Sequence, residues 1–418
     1  MNSFNRLFFL GLILTTFGTL AQSGGQAEIY EKHVCILASD SLQGRGLGTA
    51  GMVKAQSYLY EQFTAAGLKP FGDSFFQPFK FRQSLTWTPA KNIVGYVEGS
   101  DPELKNEFIV VGAHYDHQGY AISRGDTIIY PGADDNASGT AMVIELAKHF
   151  SALENKPKRS IIFICFDAEE SGLHGAYHFV ANPPVPIEQI KLMFSLDMVG
   201  MLNTYKGLDL KGIGLLSGGL SVFQEAAKDL GIKLKDTSAK VEQQTDTAPF
   251  GNVGIPAVHV FTGLVSPYHK PTDKCDLLEY DGMEKIEKLM IQALTEFGNT
   301  PTLRPDENIS VDKIIAGGKK PFFYFGLTLQ NGWGTFDFSD EFFRGRSTYT
   351  GALGTAMQFR LSKNFRLVNH LLLDLNGSNV PDGVARRLSF TAPVMLQIAS
   401  SDASNDYFRV YGNLGAFY

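Results

Sequence analysis

The chain is poor in cysteine, with three in 418 residues, and an odd number cannot all pair internally, so no disulfide framework is implied. Positive charge is not in excess either. The 37 Lys and Arg against 43 Asp and Glu leave a net charge of −6, which removes the electrostatic case for nucleic-acid binding. No internal repeat or low-complexity tract stands out. The one marked apolar run, Leu7 to Leu20, is about 14 residues, short for a membrane span.

What is present is ordinary globular material, 44% hydrophobic and 19% charged, at a length that allows two or three domains. Asn5-Arg6 precedes the apolar run, and Thr19-Leu20-Ala21 offers small residues for cleavage before Gln22. That is the pattern of a secretory signal peptide over 1–21. The expected localisation is therefore exported: periplasmic, outer-membrane associated or secreted. No Cys lies near Ala21, so a lipoprotein reading has no support. Cys165, in the apolar run Ser160–Phe166, reads as a small core residue. Cys275 follows a candidate site segment and is weighed as a ligand without being counted as one.

From Ala27 the pattern runs helix (27–37), polar break (39–48) and helix (52–66), with Gly67 as stop. Strand-like segments follow at 75–81 and 92–97. From Phe108 strands and helices alternate: strands at 108–113, 160–166, 191–199 and 257–261, helices at 137–150, 221–230 and 282–297. Such alternation argues for an α/β domain with a largely parallel central sheet. The expected organisation is a domain over 22–300, a Pro-, Gly- and charge-rich linker over 301–320, and a β-rich region over 321–418. In that last region Leu353, Thr355, Met357, Phe359 and Leu361 alternate with smaller or polar residues, and Phe365 to Leu375 resume the alternation after Ser362-Lys-Asn364.

Chemistry collects at strand ends. Phe108-Ile-Val-Val111 leads into Gly-Ala-His-Tyr-Asp-His117, and Pro-Gly-Ala-Asp-Asp-Asn-Ala-Ser-Gly139 follows. Strand 160–166 ends in Asp-Ala-Glu-Glu-Ser-Gly172, strand 191–196 in Asp197, and the loop after 257–261 carries Tyr-His-Lys-Pro-Thr-Asp273. In open α/β sheets ligands bind outside the carboxyl ends of the strands. Two imidazoles and three carboxylates in one pocket suit two divalent ions, with one carboxylate bridging. Of the neighbours Glu169 and Glu170, one can bind metal while the other serves as general base. Asp116, two residues after His114, is within reach of its second ring nitrogen and can fix the tautomer. Each segment alone is ordinary loop chemistry, and Asp134-Asp135 could merely cap a helix; four in order after strands are much harder to explain that way.

These segments, with Leu37-Ala-Ser-Asp-Ser-Leu-Gln-Gly-Arg-Gly46, resemble the co-catalytic dizinc aminopeptidases, a peptidase family that also contains glutamate carboxypeptidase and glutaminyl cyclase. The resemblance covers about Ala27 to Phe297. It implies a three-layer α/β sandwich with a mostly parallel central sheet, and two zinc ions, with manganese or cobalt as alternatives. It assigns His114, Asp135 and Asp197 to one ion, and Glu170 and His269 to the other, with Asp135 bridging. It makes Glu169 the general base, Asp116 the support of His114, and Tyr268 a candidate to polarise the scissile carbonyl. One departure is Thr245-Asp-Thr-Ala-Pro-Phe250, where relatives often read Ser-Asp-His before Pro-Phe; it leaves the ligand set untouched and puts the pocket lining in doubt. His259 is expected in the core, His174 and His178 on a helix, and His117 as a residue that orients a loop.

The implied activity is aminopeptidase action on peptide or protein N-termini. Two alternatives stand beside it: a glutaminyl cyclase with a single metal, and a non-catalytic peptide-binding surface module. The tail resembles the first strands of an outer-membrane β-barrel. About five strands are visible, too few to close one, so the tail is either part of a longer barrel, with outer-membrane association, or a small soluble β-domain.

Overall fold

The computed structural model describes residues 25–83, 86–306, 323–334, 346–360, 365–380, 383–392, 394–399 and 411–416. The expected signal peptide (1–21), residues 307–320 of the expected linker and the turn at 362–364 lie outside the described residues. Helix α1 (Gln26–Leu37) and a 3₁₀ turn (Asp40–Arg45) lead into α2 (Ala50–Ala65). Thr49 starts α2 by accepting the Met52 N–H on Oγ1 at 3.1 Å. Gly67, at φ 71°, supplies the left-handed residue that stops it.

Then come β1 (Phe76–Gln83), β2 (Thr86–Val97), β3 (Phe108–His114) and a small hairpin, β4 (Tyr120–Ser123) with β5 (Asp126–Ile129). Helix α3 (Gly139–Ala152), β6 (Ser160–Phe166), α4 (His174–Ala181), β7 (Ile190–Leu196) and the short α5 (Leu202–Tyr205) follow. The domain finishes with β8 (Asp209–Lys211), α6 (Gly219–Leu230), α7 (Thr247–Asn252), β9 (Ala257–Phe261) and α8 (Tyr280–Asn299). The sheet order is β1-β2-β6-β3-β7-β9-β8. Its four inner strands, β6, β3, β7 and β9, run parallel, and antiparallel strands close both edges.

The parallel strands are apolar throughout because both faces are covered. Along β3, Ile109, Val111 and Ala113 join one apolar cluster with α1, α2, α3, α6 and α8, while Phe108 and Val110 join a second with α4 and α7. That is a three-layer α/β sandwich, and every inner strand delivers its last residue to the same edge.

Two of the three cysteines do pair. Cys35 of α1 is bonded to Cys275, 240 residues away, and only Cys165 is free, in the core as expected. A count of cysteines cannot show that the fold brings α1 beside the turn after Asp273. The bridge closes a long loop, so Cys35→Ser is expected to cost about 2–4 kcal/mol and lower Tm by roughly 5–15 °C. Melting with and without reductant checks this: wild type in reductant should melt where the variant does, and a Tm indifferent to reductant would contradict it.

A buried polar cluster ties α1, α3 and α8 together on the helical layer. Gln26 Nε2 donates to Glu145 Oε2 at 3.1 Å and Glu287 Oε1 at 3.2 Å, and His33 Nε2 lies 2.9 Å from Glu145 Oε1. Burial, reinforced by the Glu145 charge, pushes the Glu287 carboxyl up to about 7. An acid whose folded pKa is raised favours folding in its protonated form. Its contribution is full below the unfolded pKa and is lost as pH rises through about 7. Glu287→Gln should therefore gain about 2–3 kcal/mol relative to wild type between pH 5 and pH 8, read from denaturant melts at both pH values; a constant difference would contradict the shift.

The tail is a separate antiparallel sheet of six strands among the described residues, β10 (Phe323–Gly334), β11 (Arg346–Arg360), β12 (Phe365–Val380), β13 (Gly383–Thr391), β14 (Val394–Ala399) and β15 (Tyr411–Ala416). The order is β10-β11-β12-β14-β15, with β13 also paired to β12. The count exceeds the expected five because the run 383–398 is two strands, Gly383–Thr391 and Val394–Ala399. The register sets Leu353 opposite Leu373 and Thr355 opposite Leu371. Leu353, Leu371 and Leu373 are exposed, whereas Ala352 and Leu372, on the other face, are buried.

Candidate active site

The parallel register does the positioning. His114 lies opposite Phe166, Gly112 opposite Ser195, and Leu196 opposite Val260. His114, the turn 167–170, Asp197 and the loop from Thr262 therefore leave the sheet at one edge. Residues 133–138, which the sequence assigns in part to a helix, form a wide turn before α3 that brings Asp135 to the same place. Asn136 pins this turn: its Nδ2 donates to Leu196 O, and its Oδ1 accepts from Gly139 N and Met198 N.

Two groups of donors result. His114 Nε2 lies 3.3 Å from Asp135 Oδ1 and 3.6 Å from Asp197 Oδ1. His269 Nε2 lies 3.2 Å from Asp135 Oδ2 and 3.1 Å from Glu170 Oε2. Asp135 thus faces one group with each oxygen. Although Asp135 Oδ2 and His269 Nε2 are near neighbours, neither makes a hydrogen bond. Mixed imidazole and carboxylate donors at these separations fit zinc, where a tetrahedral site has edges of roughly 3.4 Å.

The electrostatics agree with a site built for positive charge. Burial pushes the Asp135 carboxyl up, but the His114 and His269 imidazoles outweigh it and hold the group well below the carboxylate range. Burial likewise opposes ionisation of Asp197, yet His114 and His259 bring it down to about 2. His269, despite partial burial, is raised to about 10 by Asp135 and Glu170. Without a cation the site collects protons, so metal binding must displace them.

Burial, together with Asp246, Asp197 and Glu170, raises Glu169 well above the carboxylate range, with His114 opposing. Asp116 reaches His114 through its main chain. Its backbone carbonyl, not its carboxylate, meets His114 Nδ1, at 3.2 Å against 3.8 Å for Oδ1. The carboxylate instead accepts the N–H of Glu169 at 3.0 Å and of Glu170 at 3.2 Å, fixing the turn that presents both. Tyr268 stacks on His269 at 3.7 Å between ring centroids.

These side chains line one cavity of about 260 Å³, with Met198, Phe261, Leu264, Thr245, Lys211 and Glu242 completing its wall. Thr245 belongs to the stretch that departs from the family pattern, and Asp246 beside it is buried with both carboxylate oxygens unpartnered.

Three contributors escaped the sequence reading. His259 is buried as expected, but it lines the cavity, with Nε2 3.4 Å from Asp197 Oδ2. Its place near the carboxyl end of β9 was the available signal. Asp273 accepts from Asp134 N and Asp135 N, holding the turn that carries Asp135 from behind. His117, read as orienting a loop, lies with Nδ1 2.8 Å from Glu170 Oε1.

A strand-end cluster of imidazoles and carboxylates on a three-layer α/β sheet defines the class, a zinc-exopeptidase-like fold. Residues 92–294 match the profile of peptidase family M28. It is 27% identical over 224 residues to the aminopeptidase YwaD of Bacillus subtilis (strain 168), covering 51% of this chain and 46% of that one. Among solved structures, a zinc aminopeptidase from Bacillus subtilis superposes with a TM-score of 0.53 at 17% identity, over 69% of this chain and 97% of the other. A glutaminyl cyclase of Porphyromonas gingivalis also has a TM-score of 0.53, at 19% identity, over 65% of this chain and 98% of the other. At these identities the structures speak to the fold. The chain spans about half the length of the curated relatives it matches.

Proposed function

We propose that the domain is an exported aminopeptidase that uses two zinc ions and Glu169 as general base. The observation that carries this reading is Asp135, whose two oxygens face two separate donor groups in the cavity that Glu169 also lines. His114, Asp135 and Asp197 would hold one ion, and Asp135, Glu170 and His269 the other. Bound there, the ions would supply Lewis-acid activation of water and of the scissile carbonyl. Glu169 takes the proton from the attacking water and returns it to the leaving amine. Burial, with the carboxylates around it, raises the Tyr268 hydroxyl above its ordinary range, so it keeps its proton and can donate to the carbonyl oxygen. Substrates are peptide or protein N-termini, with the side chain against Met198, Phe261 and Leu264.

Export is supported by the Cys35–Cys275 bridge, since disulfides persist in oxidising compartments. The exposed leucines of β11 and β12 support outer-membrane association of the tail. Two donor groups favour the aminopeptidase over a single-metal cyclase. Hydrolysis of a panel of aminoacyl and dipeptide chromogenic substrates by the zinc-loaded chain tests the reading. Cleavage of none of them would sink it, and cyclisation of N-terminal glutamine with one bound ion would install the alternative.

A further inference from the structure

We infer that His117 is a direct ligand of the second ion, giving that ion four protein donors against three for the first; the inference rests on the two-ion reading above. The side chain is fully buried, with Nδ1 2.8 Å from Glu170 Oε1 and 3.6 Å from Asp135 Oδ2. One donor atom from each of His117, Asp135, Glu170 and His269 fits within 4.8 Å of all the others. The two imidazoles approach from different sides, their centroids 5.6 Å apart and their planes at 68°.

A hydrogen bond that merely orients Glu170 explains less. Gln118 Nε2 already donates to Glu170 Oε2 at 2.7 Å. Nor does that role account for Asp135 Oδ2, which lies beside both imidazoles with no hydrogen bond of its own. The four donors are gathered in one cluster, and the His117 ring is held in it. The His117 backbone N–H donates to Arg45 O at 3.2 Å, and the ring packs on Gly132, where a Cβ would meet its Cδ2 at 2.5 Å.

The consequence is a division of labour. An ion with four protein donors resembles a closed structural site, whereas one with three keeps a position open for water or substrate. The ion at His114, Asp135 and Asp197 is then the exchangeable one, and the ion at His117, Asp135, Glu170 and His269 is the anchored one.

His117→Gln tests this, because Gln keeps a donor toward Glu170 but removes the imidazole. Zinc affinity is measured on the full chain by competition with a chelator, and apo melting shows that the variant folds. Wild type should hold two ions. The variant should bind its anchored ion about 100-fold more weakly or worse, beyond the roughly 10- to 100-fold typical of losing an outer hydrogen bond. A variant that keeps both ions with less than about a 100-fold change overturns the inference alone. A wild type that holds fewer than two ions overturns the two-ion reading with it. A wild-type measurement does not depend on the variant's folding: in the dicobalt protein, paramagnetically shifted resonances from three imidazoles are expected, and from only two would overturn the assignment.

Discussion

Glu169→Gln is expected to lower kcat by about 10²–10⁴-fold while leaving KM and metal content nearly unchanged, the range that a positioned general base contributes. The substitution is nearly isosteric and touches neither donor group. The backbone N–H of residue 169 still reaches Asp116 Oδ1, at 3.0 Å in the wild type, so the turn that carries Glu170 stays in place. What is lost is the ability to take a proton. Glu169 faces the cavity from the turn after β6, beside the edge where Asp135 and Asp197 stand. Turnover on an aminoacyl chromogenic substrate, with metal analysis of the same sample, checks the result. Full activity in the variant would remove Glu169 from the chemistry. Lost activity together with lost metal would make it a structural support of the second donor group.

The fold was legible because both of its periods are written plainly in the chain. Runs such as Phe108–Val111 and Ser160–Phe166 are apolar at every position, which only a strand covered on both faces requires, and Gly67 and Thr49 mark helix ends by local chemistry. Boundaries were read less well where tertiary contacts decide them. The sequence starts the helix at Ala137, yet Asn136 is tied to Leu196 and Met198 of the neighbouring strand end, so α3 starts only at Gly139.

The site was legible in its strand-end residues and opaque in those that arrive from elsewhere. His114, Glu169, Glu170 and Asp197 each follow an apolar run, so order along the chain predicts proximity. Cys35 and Cys275 carry no such signal, because their meeting depends on how α1 lies against the loop that also bears His269. His117 was set aside since two histidines three apart, with an acid between them, can point in different directions after a strand ends. Only the packing of its ring on Gly132 settles where it faces. For Asp116, sequence spacing puts the residue near His114 but cannot tell its carbonyl from its carboxylate.

Arg45→Met is expected to destabilise the domain by about 5 kcal/mol and to lower its Tm by roughly 10–20 °C. The guanidinium is completely buried and serves as a hub for four carbonyls: Nε donates to Tyr115 O at 2.8 Å, Nη1 to Leu37 O and Pro131 O at 2.7 Å each, and Nη2 to Gly132 O at 2.8 Å. Burial lowers its pKa to about 10, with Asp135, Asp273, Asp116 and Glu170 opposing that fall, so it remains charged at neutral pH. Methionine fills part of the space but leaves Tyr115 O, Leu37 O and Pro131 O unpaired, while Gly132 O keeps the Ala137 N–H at 3.2 Å; each unpaired acceptor is worth about 1–3 kcal/mol before relaxation. Lysine keeps the charge and recovers only part of the loss, because a single ammonium cannot span the four acceptors that a planar fork reaches. The carbonyls that Arg45 holds flank both loops that carry candidate metal donors, Tyr115 beside His114 and Gly132 three residues before Asp135. Zinc affinity should therefore fall together with Tm in both variants, the methionine variant losing more of each. Melting curves of apo and zinc-loaded protein measure both effects. An Arg45→Met chain that melts within about 2 °C of wild type would show that these carbonyls are satisfied without the guanidinium.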